Sequence, residues 1–247
     1  MKKYLFWPYQ VYAWLIYFPL ACILTFAAGW TVVFVSMLIN PRFASRHIAM
    51  RWARLLSALL PISVTVEGAE NVEPGRSFVV VSNHASMVDI IALYGFLDLD
   101  LKWVIKKELR KFPGIGIGCE KAGHIFIDRQ NPDIACKSVN DALNVLGNGI
   151  GVLFFAEGTR SLTGRLLPFK KGAFRIAIDA DLPVLPVTLV GTREVMPAKS
   201  MRLYPGKVRV VVHPAIEHRE IDLDHIRDLM VHTRDVIASA LPEKNRD

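Results

Sequence analysis

From Tyr4 to Asn40 the chain carries no charged residue, and the stretch is rich in Leu, Ile, Phe, Trp and Tyr. Such a run either enters a bilayer or lies in a protein core, and a bilayer takes about 20 apolar residues per helical crossing. The length suits one long tilted helix or two short ones, with Pro8, Pro19 and Gly29 as candidate break points. Lys2 and Lys3 precede the run, and Arg42, Arg46, Arg51 and Arg54 follow it. Positive charge on both flanks favours a hairpin or re-entrant pair with both ends cytoplasmic over a single span. Apolar residues continue past Ala27-Ala28 to Ile39, which argues against a cleaved signal peptide. Over 46–60, Ile48, Trp52, Leu55 and Leu59 share one helical stripe, with Arg46, Arg51 and Arg54 opposite. That pattern fits a helix in the headgroup plane and equally an ordinary surface helix packed on a domain.

The remaining length holds one domain, so the expected division is a membrane-associated helical segment over 1–61 and an α/β domain over 62–247. Hydrophobic residues make up 52% of the 247, yet the net charge is +7, a pairing suited to an anionic membrane surface. Nucleic acid is disfavoured, because the aromatics crowd the N-terminal apolar stretch and no nucleic-acid-binding motif occurs. Three widely spaced cysteines, Cys22, Cys119 and Cys136, fit neither a disulfide framework nor a zinc site and point to a reducing compartment.

After Pro61 short apolar runs alternate with helical patterns. Strands are expected at 64–66, 78–82, 102–105, 124–127, 152–155, 184–190 and 208–212, and helices at 87–96, 133–146, 172–179 and 223–240. This order predicts a mixed, mostly parallel central sheet flanked by helices. Polar clusters follow three of the runs: Asn83 to Asp89, Gly123 to Arg129, and Phe155 to Arg160. In open α/β sheets ligands gather outside the carboxyl ends of strands, so the three clusters can converge on one site.

His84 and Asp89 form the first candidate pair. Five residues apart they sit about 140° from each other on a regular helix, so they meet only if His84 precedes the helix, where the sequence puts it. A carboxylate that holds an imidazole suits general-base work. Ser86 is not marked as a nucleophile, because G-x-S-x-G is absent from the chain, and helix capping suits it better. Arg129 and Arg160 match phosphate oxygens as planar forks, or alternatively pair with Asp128 and Glu157. Lys106 and Lys107 are a further basic pair. Glu157 either binds an acceptor hydroxyl or fixes Arg160, and the helix opened by Lys170-Lys171-Gly172 offers backbone donors to an anion. The other histidines show no ligand spacing, so no metal is expected.

At these residues the chain resembles the membrane-associated glycerolipid acyltransferases, specifically the 1-acyl-sn-glycerol-3-phosphate acyltransferases. The likeness rests on N-H-x-S-x-x-D at 83–89, G-x-x-F-I-D-R at 123–129, E-G-T-R-S at 157–161 and a Pro-rich block at 182–187. The resemblance implies transfer of an acyl group from acyl-CoA or acyl-ACP to the 2-hydroxyl of lysophosphatidic acid, giving phosphatidic acid. It implies His84 as general base, Asp89 as its partner, and Lys106, Arg129, Glu157, Gly158, Thr159 and Arg160 on the acceptor side. It further implies a place on the cytoplasmic face of the inner membrane and no cofactor beyond the thioester co-substrate. Ala156 stands where many relatives carry Pro, which alters the turn without removing a functional group. The rival readings are acylation of glycerol-3-phosphate or another glycerolipid, and a non-enzymatic protein that binds anionic lipid through its basic helix.

Overall fold

The structure, a computed structural model, describes residues 6–112, 114–127, 139, 149–217 and 225–246. Its N-terminal helix α1 runs unbroken over Phe6–Leu38, long and apolar enough to cross a membrane. Pro19 does not break it. Proline removes one helical hydrogen bond and crowds the preceding turn, and here the helix loosens into a π turn at Ala13–Tyr17 before continuing. Gly29 is a contact rather than a break, since a Cβ there would stand 2.6 Å from the Gly114 carbonyl oxygen.

Helix α1 lies along the rest of the protein for its whole length. Near its start Gln10 exchanges hydrogen bonds with the Leu203 backbone, donating from Nε2 at 2.6 Å and accepting at Oε1 at 3.2 Å. At mid-length Trp52 donates to Thr25, and near the end the Ser36 hydroxyl reaches the Lys121 carbonyl. The outward face keeps Trp7, Leu15, Ile23, Phe34, Met37 and Leu38 exposed. After Asn40, whose side chain caps the next turn, helix α2 covers residues 41–58 with a π turn at Ala44–Ile48. Of the expected apolar stripe, Trp52 and Leu59 face α1, whereas Leu55 is exposed. Ala53 and Leu56 are buried against Ile91, and Arg46 and Arg54 bond to Asp98 and the Gly95 carbonyl, so α2 packs as a surface helix of the domain.

The sheet has seven strands in the order β1-β7-β6-β2-β5-β3-β4. They are β1 Ile62–Glu67, β2 Phe78–Ser82, β3 Asp100–Lys106, β4 Ile125–Ile127, β5 Ile150–Phe155, β6 Val184–Val190 and β7 Gly206–Val212. All pairings are parallel except β6 with β7. β2 is central because its Phe-Val-Val-Val run has an apolar side chain for each face. Phe78 and Val80 join the cluster under helix α3 (Val88–Phe96), while Val79 and Val81 join that under helix α4 (Gly172–Asp179). The closing helix α5 (Ile226–Ser239) packs on the second face. The expected helix at 133–146 lies outside the described residues apart from Val139, which is buried in that same cluster.

From β2 the chain passes through α3 to β3, and from β5 through α4 to β6, on opposite sides of the β2–β5 pair. The carboxyl ends of β2 and β5 therefore flank the crevice where a parallel sheet changes direction, the usual place for a ligand.

Candidate active site

β2 ends at Ser82, and Asn83 locks the segment that follows. Its side chain donates to the Leu189 carbonyl at 2.9 Å and accepts from Leu189 N–H at 2.8 Å, joining the ends of β2 and β6. His84 thus leaves the strand before α3 begins, as the spacing required. Its Nδ1 lies 2.7 Å from Asp89 Oδ2. Asp89 is fully buried in the first turn of α3, and the same oxygen accepts the N–H groups of Ala85 at 2.8 Å and Ser86 at 2.9 Å. A helix N-terminus favours a carboxylate, and three donors on one oxygen fix its position. Since Asp89 is an acceptor, Nδ1 carries the proton and Nε2 is left with a lone pair, the tautomer a base needs. The Ser86 hydroxyl donates to the Met196 carbonyl at 2.7 Å and accepts from Val88 N–H at 3.1 Å, so it is occupied as a cap and is no nucleophile.

Two further residues hold the imidazole. Phe155, in register with Ser82, stacks on it with ring centroids 3.7 Å apart and planes 8° from parallel. Glu157, buried beyond β5, accepts His84 N–H at 2.7 Å with one oxygen and Leu167 N–H at 3.1 Å with the other. Glu157 therefore differs from both expected roles, neither reaching out for a hydroxyl nor gripping Arg160. It positions the His84 backbone. Burial pushes its carboxyl up to about 7, opposed by the two N–H donors. Phe155 was not singled out from sequence, and its place at a strand end in register with Ser82 was the available signal.

The turn after Glu157 wraps the same histidine, since Ser161 N–H donates to the His84 carbonyl at 2.8 Å. Gly158 sits at φ +71°, Thr159 is exposed, and the partly exposed Arg160 guanidinium has no hydrogen-bond or ion-pair partner among the described residues. Lys106 closes β3 at the same carboxyl edge, exposed and 3.8 Å from Glu108. It is paired in register with Ile127. Arg129 and Asp128 lie outside the described residues. The structure thus brings His84, Asp89, Glu157, Gly158, Thr159 and Arg160 together, with Lys106 two strands from β2.

Behind the site, His124 is held neutral: burial and the nearby Lys102 charge push it down to about 3. Trp103 N–H donates to its Nδ1 at 3.2 Å, so its proton is on Nε2, directed at the Tyr94 oxygen. This histidine packs and does not react. Sequence reasoning also missed a buried ion pair. Lys102 Nζ donates to Asp100 Oδ1 at 2.9 Å, to the Ser45 hydroxyl at 2.8 Å and to the Ala122 carbonyl at 2.9 Å, tying β3 to α2.

A family model described as Acyltransferase matches residues 63–190, which covers all four motif blocks. A 1-acyl-sn-glycerol-3-phosphate acyltransferase of Limnanthes douglasii is 30% identical over 231 residues, covering 92% of this chain and 81% of that protein. The chain belongs to the 1-acyl-sn-glycerol-3-phosphate acyltransferase family. Another member of that family, from Chlamydomonas reinhardtii, is 36% identical over 203 residues, and the match spans 81% of this chain and 59% of the algal protein. The human alpha enzyme of the same name is 30% identical over 232 residues, covering 91% and 82%. The fold is likewise that of the family: the crystal structure of the 1-acyl-sn-glycerophosphate (LPA) acyltransferase PlsC from Thermotoga maritima superposes with a TM-score of 0.76 at 28% identity, covering 96% of this chain and 95% of that one.

Proposed function

We propose that the protein transfers an acyl group from an acyl thioester, acyl-CoA or acyl-ACP, to the 2-hydroxyl of 1-acyl-glycerol-3-phosphate, forming phosphatidic acid. The observation that carries this reading is the His84–Asp89 pair at 2.7 Å, set at one strand-end crevice with Arg160, which has no hydrogen-bond or ion-pair partner among the described residues. Family membership supports the acceptor.

His84 Nε2 removes the proton of the acceptor hydroxyl as its oxygen attacks the thioester carbonyl carbon. Asp89 stabilises the imidazolium so formed. The tetrahedral intermediate collapses, the carbon–sulfur bond breaks, and the imidazolium returns its proton to the departing thiolate. The ester and the free thiol leave with the base restored. A positioned base of this kind contributes about 10²- to 10⁴-fold. Thioester activation supplies the driving force, so the reading includes no metal and no cofactor beyond the co-substrate.

On the acceptor side we place Arg160 and Thr159, with Lys106 at the end of β3, and we assign Arg129 to the same role from the motif at 123–129. Gly158 lets the backbone turn close beside them. Helix α1 presents its exposed apolar face to the cytoplasmic leaflet of the inner membrane, so a lipid acceptor reaches the crevice from the bilayer and the thioester carrier from water. The test is His84→Ala in detergent or vesicles with lysophosphatidic acid and acyl-CoA. Loss of phosphatidic acid formation with an unchanged melting temperature is expected, and full retained activity would remove the base. An acceptor panel that includes glycerol-3-phosphate separates this reading from its nearest rival.

A further inference from the structure

The turn that carries Arg160 has a second cation lying on it. A Cβ on Gly158 would meet Lys170 Cε and Nζ at 2.9 Å and Cδ at 3.0 Å, so the lysine stem fills the space that the glycine leaves. The contact is built rather than incidental. Lys170 N–H donates to the Ala156 carbonyl at 2.8 Å. Leu167 N–H holds Glu157, and Phe169 is buried in the core between them. Residues 156–158 and 167–170 are therefore stitched together, and the Lys170 ammonium lies against Gly158, two residues before Arg160.

Neither cation has a carboxylate partner among the described residues. Lys170 is exposed, and among the described residues its ammonium has no hydrogen-bond or ion-pair partner, as with Arg160. The nearest carboxylate along the chain, Glu157, is buried with both oxygens occupied by backbone N–H groups. Two cations carried by segments stitched together at Gly158 favour an anion between them. Their chemistry is complementary for a phosphomonoester, since arginine offers a planar fork and lysine a point charge with rotatable donors.

We infer that Lys170 is a phosphate-binding residue that acts with Arg160 on the phosphomonoester of the acceptor. This rests on the acyl transfer proposed above. It gives Gly158 two requirements, its positive φ and the room for the Lys170 stem, and it makes the 156–170 loop select phosphorylated over neutral glycerolipids.

The test compares wild type, Lys170→Met, which keeps the stem on Gly158, and Lys170→Arg. Lysophosphatidate is varied at fixed acyl-CoA and then the reverse. Loss of one charge-assisted hydrogen bond raises the acceptor KM about tenfold to a hundredfold in Lys170→Met. Donor KM and melting temperature stay where they are, the preference for lysophosphatidate over monoacylglycerol falls by the same factor, and Lys170→Arg recovers most of the loss. An unchanged acceptor KM overturns the inference. So does a rise confined to the donor KM, which would give the lysine to the phosphates of coenzyme A. Calorimetric binding of lysophosphatidate micelles keeps the two proposals apart. If wild type turns over no lysophosphatidate, the acyl-transfer reading fails, and equal binding by wild type and Lys170→Met then rejects Lys170 on its own terms.

Discussion

Asp89→Asn tests the base directly, because it changes charge with almost no change of shape. The Asp89 side chain is fully buried and holds the imidazole Nδ1 at 2.7 Å. During the reaction the ring becomes cationic while the carboxylate stays anionic. Two unit charges about 4 Å apart at an effective dielectric of about 20 attract by about 4 kcal/mol. At about 1.4 kcal/mol per decade, losing that attraction slows the chemical step about a thousandfold. The asparagine oxygen still accepts the N–H groups of Ala85 and Ser86, so the start of α3 keeps its geometry. The assay is steady-state turnover of lysophosphatidic acid for wild type, Asp89→Asn, His84→Ala and the double variant. If Asp89 acts on the reaction through His84, the double variant is no slower than His84→Ala, since no imidazolium remains to stabilise. A loss below tenfold in Asp89→Asn, or a further large loss in the double variant, would refute the reasoning.

Two more outcomes follow from buried charges. The Glu157 carboxyl lies at about 7 against an ordinary 4.5, so its contribution to folding is fully present below pH 4.5 and is lost as the pH rises through 7. The melting temperature of wild type should fall across that window more than that of Glu157→Gln, and parallel curves from pH 4 to 8 would show that the carboxyl does not titrate there. Lys102→Met leaves the buried Asp100 with the Ser45 hydroxyl at 2.9 Å and, as a charge, the half-exposed Arg42 at 3.6 Å. That should cost about 3–5 kcal/mol in urea denaturation. A loss under about 1 kcal/mol would mean that Arg42 swings in to replace the lysine.

The parts of the fold that were legible in sequence are those where local pattern and tertiary demand coincide. The Phe78 to Val81 run has apolar side chains at every position, so it had to be a central strand, and the residues after it had to lie at its carboxyl edge. The His84–Asp89 meeting followed from helix geometry alone. Other features depend on partners distant in the chain. The sequence holds Asp100 and Lys102 as two ordinary charges in a strand, and nothing local shows that Ser45 and Ala122 close around them. Glu157 has the same character, for its partners are the backbone N–H groups of residues 73 positions before it and 10 after it. Pro19 misled because the π turn that absorbs it leaves no compositional mark. The direction of β7, antiparallel to β6 and parallel to β1, likewise involves partners far apart in the chain, as with Arg209 and Glu67, 142 positions apart.

The contact at Gly29 has a mechanical consequence. A Cβ on Gly118 would stand 2.9 Å from the Gly29 Cα, so backbone rests on backbone with no side chain to act as a spring. With Gln10 bonded near one end and Ser36 near the other, α1 is held to the domain on both sides of that contact. An anchor on a flexible leash would concentrate the protein at a surface and leave the crevice free to face any way. A helix clamped at three points acts as a keel: whatever surface takes up its exposed aromatic side also sets the height and tilt of His84. Bilayer thickness and curvature should then alter turnover of bound enzyme rather than the amount bound, and a bulky side chain at Gly29 would uncouple the two.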